Sequence, residues 1–199
     1  MKIVSIDLET TGCDYQTCDI IEFGAVLDDL SLAHPPPLHA LPSFHCYCPK
    51  DFYAGEPFAL SMHSSIFRRI AERGLEENRN KFHYISSEKL GNAFKQFLLK
   101  NGHTTEHDKV VINAAGKNFA AFDLPFLKFR SDFLKHIDIR SRILDPGILF
   151  VRNSDESVPG MGECKRRAGL DDTVAHNAID DALDVVALLR KGMNKIYGV

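Results

Sequence analysis

Two carboxylates, Asp7 and Glu9, stand two residues apart at the end of a short apolar run rich in Ile and Val. Residues i and i+2 of a strand project to the same side, so both acids leave one face together. Carboxylates about 4 Å apart repel by roughly 4 kcal/mol at an effective dielectric near 20. A fold keeps such a pair when a cation offsets the repulsion or when one acid stays protonated. A further acid, Asp123, lies two residues before Pro125, where a helix N-terminus favours negative charge; taken alone it reads equally as a plain cap. The segment His176-Asn177-Ala178-Ile179-Asp180-Asp181 adds a titratable base and more acids. In a continuous helix His176 and Asp181 would lie about 140° apart around the axis. With Asn177 as the cap, His176 precedes the helix and is free to fold back over Asp181. Asp181, Asp180 and Asp184 all remain candidate ligands on composition. Carboxylates hold hard divalent cations and a histidine moves a proton, which together suit phosphodiester hydrolysis.

Several elements must bring these residues together. Residues 2–8 read as a buried strand ended by Thr10-Thr11-Gly12, and residues 20–28 as a second strand in which Ile21, Phe23, Ala25 and Leu27 alternate with Glu22 and Gly24. Pro35-Pro36-Pro37 forbids regular pairing and marks a stiff connector. Residues 44–48 close an antiparallel meander. Helices are expected over 61–73 and 86–100. The second carries Leu90, Ala93, Phe94, Phe97 and Leu98 at helical spacing, with Ser86 or Ser87 as cap and Gly102 at its end. A fourth strand follows at 109–115, a helix at 122–134 with Pro125 in its first turn, and a fifth strand at 137–144. Residues 154–162 are loop-like, and a final helix covers 177–195, with Asp180 three residues past the Asn177 cap. Strands followed by alternating helices and strands make a mixed α/β sheet with helices packed around it.

The 199 residues suggest one domain with a substantial core. Hydrophobic residues at 44% and charged residues at 26% exclude wholesale disorder and a collagen-like chain. No apolar run is long enough to cross a bilayer, and acids interrupt the N-terminal stretch where a signal peptide needs apolar residues. The expectation is a cytoplasmic protein with no membrane partner. A net charge of −3 disfavours a protein that coats nucleic acid, but not an enzyme whose bound cations supply the missing positive charge. The five cysteines, Cys13, Cys18, Cys46, Cys48 and Cys164, lack four-ligand zinc spacing and read as reduced thiols. Alternation places Cys46 and Cys48 on one strand face.

Three stretches, taken in order, resemble a known set of motifs: Asp7-x-Glu9-Thr10-Thr11-Gly12, Phe122-Asp123-x-x-Phe126-Leu127 and His176-x-Ala178-x-x-Asp181. They are similar to the three exonuclease motifs of the DEDD superfamily, in its histidine branch, the DnaQ-like exonucleases, which include ribonuclease T and oligoribonuclease. The sister branch carries tyrosine where this chain has Asn177. The motifs span positions 7–181, nearly the whole chain. Met62-His63 and Gly169-Leu170 also look family-like. One departure is that Phe119 stands where many relatives have asparagine, with Asn118 one residue earlier.

The resemblance implies a ribonuclease-H-like α/β fold with a central five-stranded mixed sheet flanked by helices, forming a single exonuclease domain over 1–199. It implies two Mg²⁺ or Mn²⁺ ions, with Asp7 bridging both, Glu9 and Asp181 on the nucleophile-side ion, and Asp123 acting largely through a water on the ions. His176 becomes the general base. Glu9 would also accept a hydrogen bond from a terminal 3′-hydroxyl, with the backbone of Leu8, Thr10 and Thr11 beside the last base. The implied partner is the 3′ end of single-stranded DNA or RNA, shortened to 5′-mononucleotides. Several relatives are dimers, so the resemblance allows a homodimer, while the sequence leaves the oligomeric state open. Phe126, with Phe119 and Phe122, is a candidate for stacking on a base. Lys165-Arg166-Arg167 and the basic stretch 128–142 are candidates for phosphate contacts. Two rivals are a non-catalytic module that binds nucleic-acid ends and a phosphohydrolase of very short oligonucleotides.

Overall fold

A computed structural model of the chain describes residues 1–173 and 176–197, with side chains up to residue 194. β1 (Lys2–Thr10) is rich in β-branched residues and buried on both faces, so it lies in the middle of a sheet. β2 (Ile20–Asp29) runs antiparallel to it and β3 (Ser43–Tyr47) antiparallel to β2. Four helices follow: α1 (Pro57–Met62), α2 (Ser64–Ala71), α3 (Glu76–Lys81) and α4 (Ser87–Lys100). Short strands β4 (Thr105–Glu106), β5 (Lys109–Ile112) and β6 (Ala114–Ala115) lead to α5 (Asp123–Arg130), α6 (Phe133–His136) and β7 (Ile137–Ile139). α7 (Met161–Ala168) and α8 (Ala178–Tyr197) complete the chain. Among the described residues no helix is long and apolar enough to cross a membrane.

The expected five-stranded sheet is instead two ladders, in the orders β3-β2-β1-β6 and β4-β5-β7. The five expected strand segments are present, but the fourth divides at Asn113. The Asn113 carbonyl accepts from the Val4 amide at 2.9 Å, and its side chain donates to the Lys2 carbonyl at 2.9 Å. Residues before this bend pair with β7, and residues after it pair with β1. The fifth segment leaves regular pairing after Ile139 and touches the first ladder again only at Leu144, opposite Ala115.

One face of the β1–β2 ladder meets α4 and α6. The expected stripe on α4 buries Leu90, Phe94 and Leu98. Phe94 packs against Phe23 at 5.1 Å and Phe133 at 5.6 Å between ring centroids, an aromatic cluster that fixes these helices on the sheet. Two expected helices are broken. Residues 61–73 divide into α1 and α2 at His63. Residues 122–134 divide at Ser131, whose hydroxyl donates to the Leu127 carbonyl at 2.6 Å and accepts from the Phe133 amide at 3.1 Å, competing with the helical pattern. Cys46 and Cys48 are both buried, and the hydrogen bond from Cys48, with burial, pushes the Cys46 thiol up.

α8 covers the opposite face, and Gly24 sets how closely. A Cβ at Gly24 would lie 2.3 Å from the carbonyl carbon and oxygen of Ala178, the first residue of α8. Ser5 donates to the Ala182 carbonyl at 2.8 Å, one turn further on. Gly24→Ala must therefore lift the start of α8, at a cost of about 1–3 kcal/mol. Urea denaturation checks this, with the same substitution at solvent-facing Gly74, where a Cβ meets nothing, as control. Equal stability of the two variants would contradict the close approach.

Candidate active site

Alternation along β1 sends Ile3, Ser5, Asp7 and Glu9 to the face under α8. In the β1–β2 register Asp7 lies opposite Gly24, and Glu9 lies opposite Glu22. The Glu22 carboxylate accepts from the Ala178 amide at 3.3 Å, so the start of α8 is held over this part of the sheet. Asn177 caps the helix reciprocally, as its spacing to Asp180 predicts. Its Oδ1 accepts from the Asp180 amide at 3.0 Å and its Nδ2 donates to Asp180 Oδ2 at 2.7 Å. Asp181 then falls in the first turn facing the sheet. Carboxylate oxygens of Asp7, Glu9 and Asp181 lie within 4.8 Å of one another.

The other acids separate clearly. Asp180 is exposed, and Asp184 pairs with Lys165 at 2.5 Å. Asp123, at the start of α5, is buried beside the cluster, and its Oδ1 accepts from the Leu8 amide at 3.0 Å. It stands next to the three clustered acids rather than among them.

Burial and mutual repulsion dominate the electrostatics. Asp7 is held well above the carboxylate range, first by burial and then by the charges of Asp123, Glu9, Asp181 and Glu22. Burial, then Glu22, pushes Glu9 up to about 8. Burial pushes Asp123 up to about 8 against the opposing effect of the Leu8 amide. Asp181 is raised to about 6 by burial and Asp184, while His176 and Lys165 draw it down.

His176 is exposed, directly before α8, in a left-handed backbone conformation with φ 50°. A non-glycine residue there is uncommon and stores strain. A second histidine, noted in the sequence only as family-like and given no role there, also reaches the site. His63, 3% exposed at the break between α1 and α2, places Nε2 at 3.3 Å from Glu9 Oε2. Burial lowers its pKa, which favours a neutral ring beside the Glu9 carboxyl group. Glu22 escaped the sequence reading of the site; it is fully buried and bonded to His45 Nε2 at 2.5 Å. Their signals were an acid alternating within an apolar strand and a histidine interrupting an apolar helix face.

The remaining expected contacts fare differently. Leu8, Thr10 and Thr11 are buried; Thr10 Oγ1 donates to the Gly12 carbonyl and Thr11 Oγ1 to the Ala54 carbonyl, so these side chains shape the loop beside Glu9. Phe126 is 1% exposed and packs against Phe122 and edge-on to Tyr15, so its ring belongs to the core; Phe119 is fully buried too. Phe122 is the half-exposed ring of the three. Lys165-Arg166-Arg167 is committed internally. Lys165 is buried between Asp184 and the Thr173 carbonyl, Arg166 pairs with Glu163, and Arg167 pairs with Asp155 and Glu163. Helical i, i+3 and i, i+4 spacing from Glu163 draws both arginines in.

The donors fit a hard divalent cation. Asp181 Oδ1 is buried with no hydrogen-bond partner among the described residues, and the clustered donors are all carboxylate oxygens, the set that selects Mg²⁺ or Mn²⁺ over thiophilic metals. An orphaned buried acceptor is costly unless a cation or proton meets it.

No protein-family model matches the chain, and no curated protein is similar to it in sequence. Its fold is similar to the crystal structure of cell-death related nuclease 4 (CRN-4), with a TM-score of 0.58 and 16% identity. The match covers 98% of this chain and 64% of that one, so the chain spans less than two thirds of CRN-4. At this identity the likeness speaks for the fold, an α/β arrangement of mixed sheets flanked by helices, consistent with a ribonuclease-H-like architecture.

The raised carboxylates give a signed expectation. Without metal the native acids keep protons that the unfolded chain releases near their ordinary values of 3.8 and 4.5. The contribution of these acids to stability is then full below about pH 4 and is lost as pH rises towards about 8, the folded value of Glu9 and Asp123. Urea denaturation in chelator should show this fall, and Mg²⁺ or Mn²⁺ should flatten it. An identical fall with and without metal would contradict a cation site.

Proposed function

We propose that the chain acts as one exonuclease domain that shortens single-stranded nucleic acid from its 3′ end and releases 5′-mononucleotides, with two Mg²⁺ or Mn²⁺ ions. The observation that carries this reading is the convergence of Asp7, Glu9 and Asp181 within 4.8 Å, with Asp123 alongside and His176 at the lip. CRN-4, a nuclease of similar fold, supports phosphodiester cleavage on this architecture. The motif resemblance supports the 3′ direction.

A pair of ions held by Asp7, Glu9, Asp123 and Asp181 would aim a water at the phosphate and neutralise developing charge. The chain's own residues do the rest. Burial under α8 keeps bulk water from the carboxylates and strengthens each charge interaction. His63 orients Glu9, whose free oxygen is suited to accept from a terminal 3′-hydroxyl. His176 takes the proton of the attacking water at a ring nitrogen, and its exposed position leaves it open to solvent for proton release. Lys165 joins the Thr173 carbonyl to Asp184 of α8.

A 5′-labelled single strand incubated with Mg²⁺ should shorten stepwise from its 3′ end. Asp7→Ala and Asp181→Asn should abolish this, while Asp180→Asn should be mild. His176→Ala should lower turnover by about 10²–10⁴-fold while leaving strand binding in place. A strand left intact at enzyme excess, or equal effects of the Asp180 and Asp181 changes, would contradict the reading.

A further inference from the structure

The second basic stretch, 128–142, differs from the first. Lys165, Arg166 and Arg167 are paired, but among the described residues no carboxylate pairs with Arg130 or Lys135. Arg130 is instead fixed by carbonyls: its Nε donates to Tyr15 at 2.7 Å and its guanidinium also reaches Gln16. Its position is locked and, among the described residues, it has no ion-pair partner, although Asp19 and Asp132 line the same hollows. Three hollows of about 280, 300 and 340 Å³ open here, and Arg130 lines all of them.

Aromatic rings surround this charge. Tyr15 and Phe129 stack at 4.9 Å with 19° between planes, and Tyr15 is braced edge-on by Phe126. Phe129 is 58% exposed, and Phe52, which lines a neighbouring hollow that also holds Arg130, is 83% exposed. Lys50, exposed, is held by Asp19 at 2.7 Å, and Asp51, Glu88 and Asp132 also line the hollows. Exposed aromatics beside Arg130 and Lys135, which have no ion-pair partner among the described residues, suit a single strand, since bases stack and phosphates pair. An apolar or acidic ligand would not use both.

The face also adjoins the candidate active site. Phe129 lies six residues beyond Asp123 on α5, about 9 Å along the helix axis. The loop carrying Tyr15 is bonded to the strip beside Glu9, Thr11 donating its amide to the Asp19 carbonyl at 2.9 Å and its Oγ1 accepting from the Asp19 amide at 2.8 Å. We propose that Tyr15, Lys50, Phe52, Phe129, Arg130 and Lys135 form a binding track for the part of a single strand upstream of its terminal nucleotide. This rests on the exonuclease reading and deepens it: the substrate is a strand long enough to reach the track, not a dinucleotide.

The test measures binding in Mg²⁺ on an Asp7→Asn background, by anisotropy of labelled single-stranded DNA and RNA of about ten nucleotides and of a labelled dinucleotide. The parent should bind the longer strands more tightly. Phe129→Ala should weaken long-strand binding about tenfold, and Lys135→Gln should reduce its salt dependence by about one counterion. Because both side chains are exposed, these variants should fold as the parent does, which circular dichroism checks. The track is overturned if the parent shows no length preference, or if both variants bind the long strands as the parent does. If the track holds and the wild-type protein cleaves no strand, the exonuclease reading fails separately.

Discussion

Mutual repulsion of buried carboxylates is the constraint that organises this molecule. Asp7, Glu9, Glu22, Asp123 and Asp181 crowd one region, and each of them except half-buried Asp7 is nearly inaccessible to water. Burial alone would drive such groups to keep their protons. Two features of the fold lower the cost. Both α5 and α8 begin at the cluster, with Asp123 and Asp181 in their first turns, where the helix dipole favours negative charge. Each acid outside the three-member cluster also has a specific partner: Glu22 has His45 and the Ala178 amide, and Asp123 has the Leu8 amide. The clustered oxygens of Asp7, Glu9 and Asp181 remain for a cation.

The surrounding structure follows from holding that arrangement. α8 must lie close enough for Asp181 to reach β1, and the residue opposite Asp7 is a glycine that lets it do so. The aromatic cluster on the opposite face holds β1 and β2 flat against α4 and α6. The helix break at His63 turns an imidazole inward onto Glu9, where an unbroken helix would carry it past. Lys165 spends a buried positive charge on joining α7, the segment before His176 and α8. A positive charge in that position serves the architecture rather than a phosphate.

Much of this was legible in the sequence. Period-two spacing of Asp7 and Glu9 placed them on one face, and the Asn177–Asp180 spacing located the start of α8; Asp180, Asp181 and Asp184 stayed open on spacing, and the motif resemblance singled out Asp181. The regular apolar stripes of β1, β2 and α4 were equally readable. What was hidden depends on contacts distant in sequence. His63 and Glu22 matter only through the β1–β2 register and a helix break. The division of the sheet at Asn113 depends on where two ladders meet. Composition made Lys165-Arg166-Arg167 look like a phosphate site, because pairing with Glu163, Asp155 and Asp184 leaves no mark on a charge count. Phe119, Phe122 and Phe126 were stacking candidates with core packing as the alternative for at least two of them, and which two are buried is decided by what packs against each ring.

The most direct measurement locates manganese in crystals of the protein by its anomalous scattering. The account predicts density bounded by the carboxylates of Asp7, Glu9 and Asp181, at metal–oxygen distances of about 2.0–2.6 Å. Crystals soaked in Mn²⁺ near neutral pH that show manganese elsewhere, or these three acids without an ion between them, would contradict it.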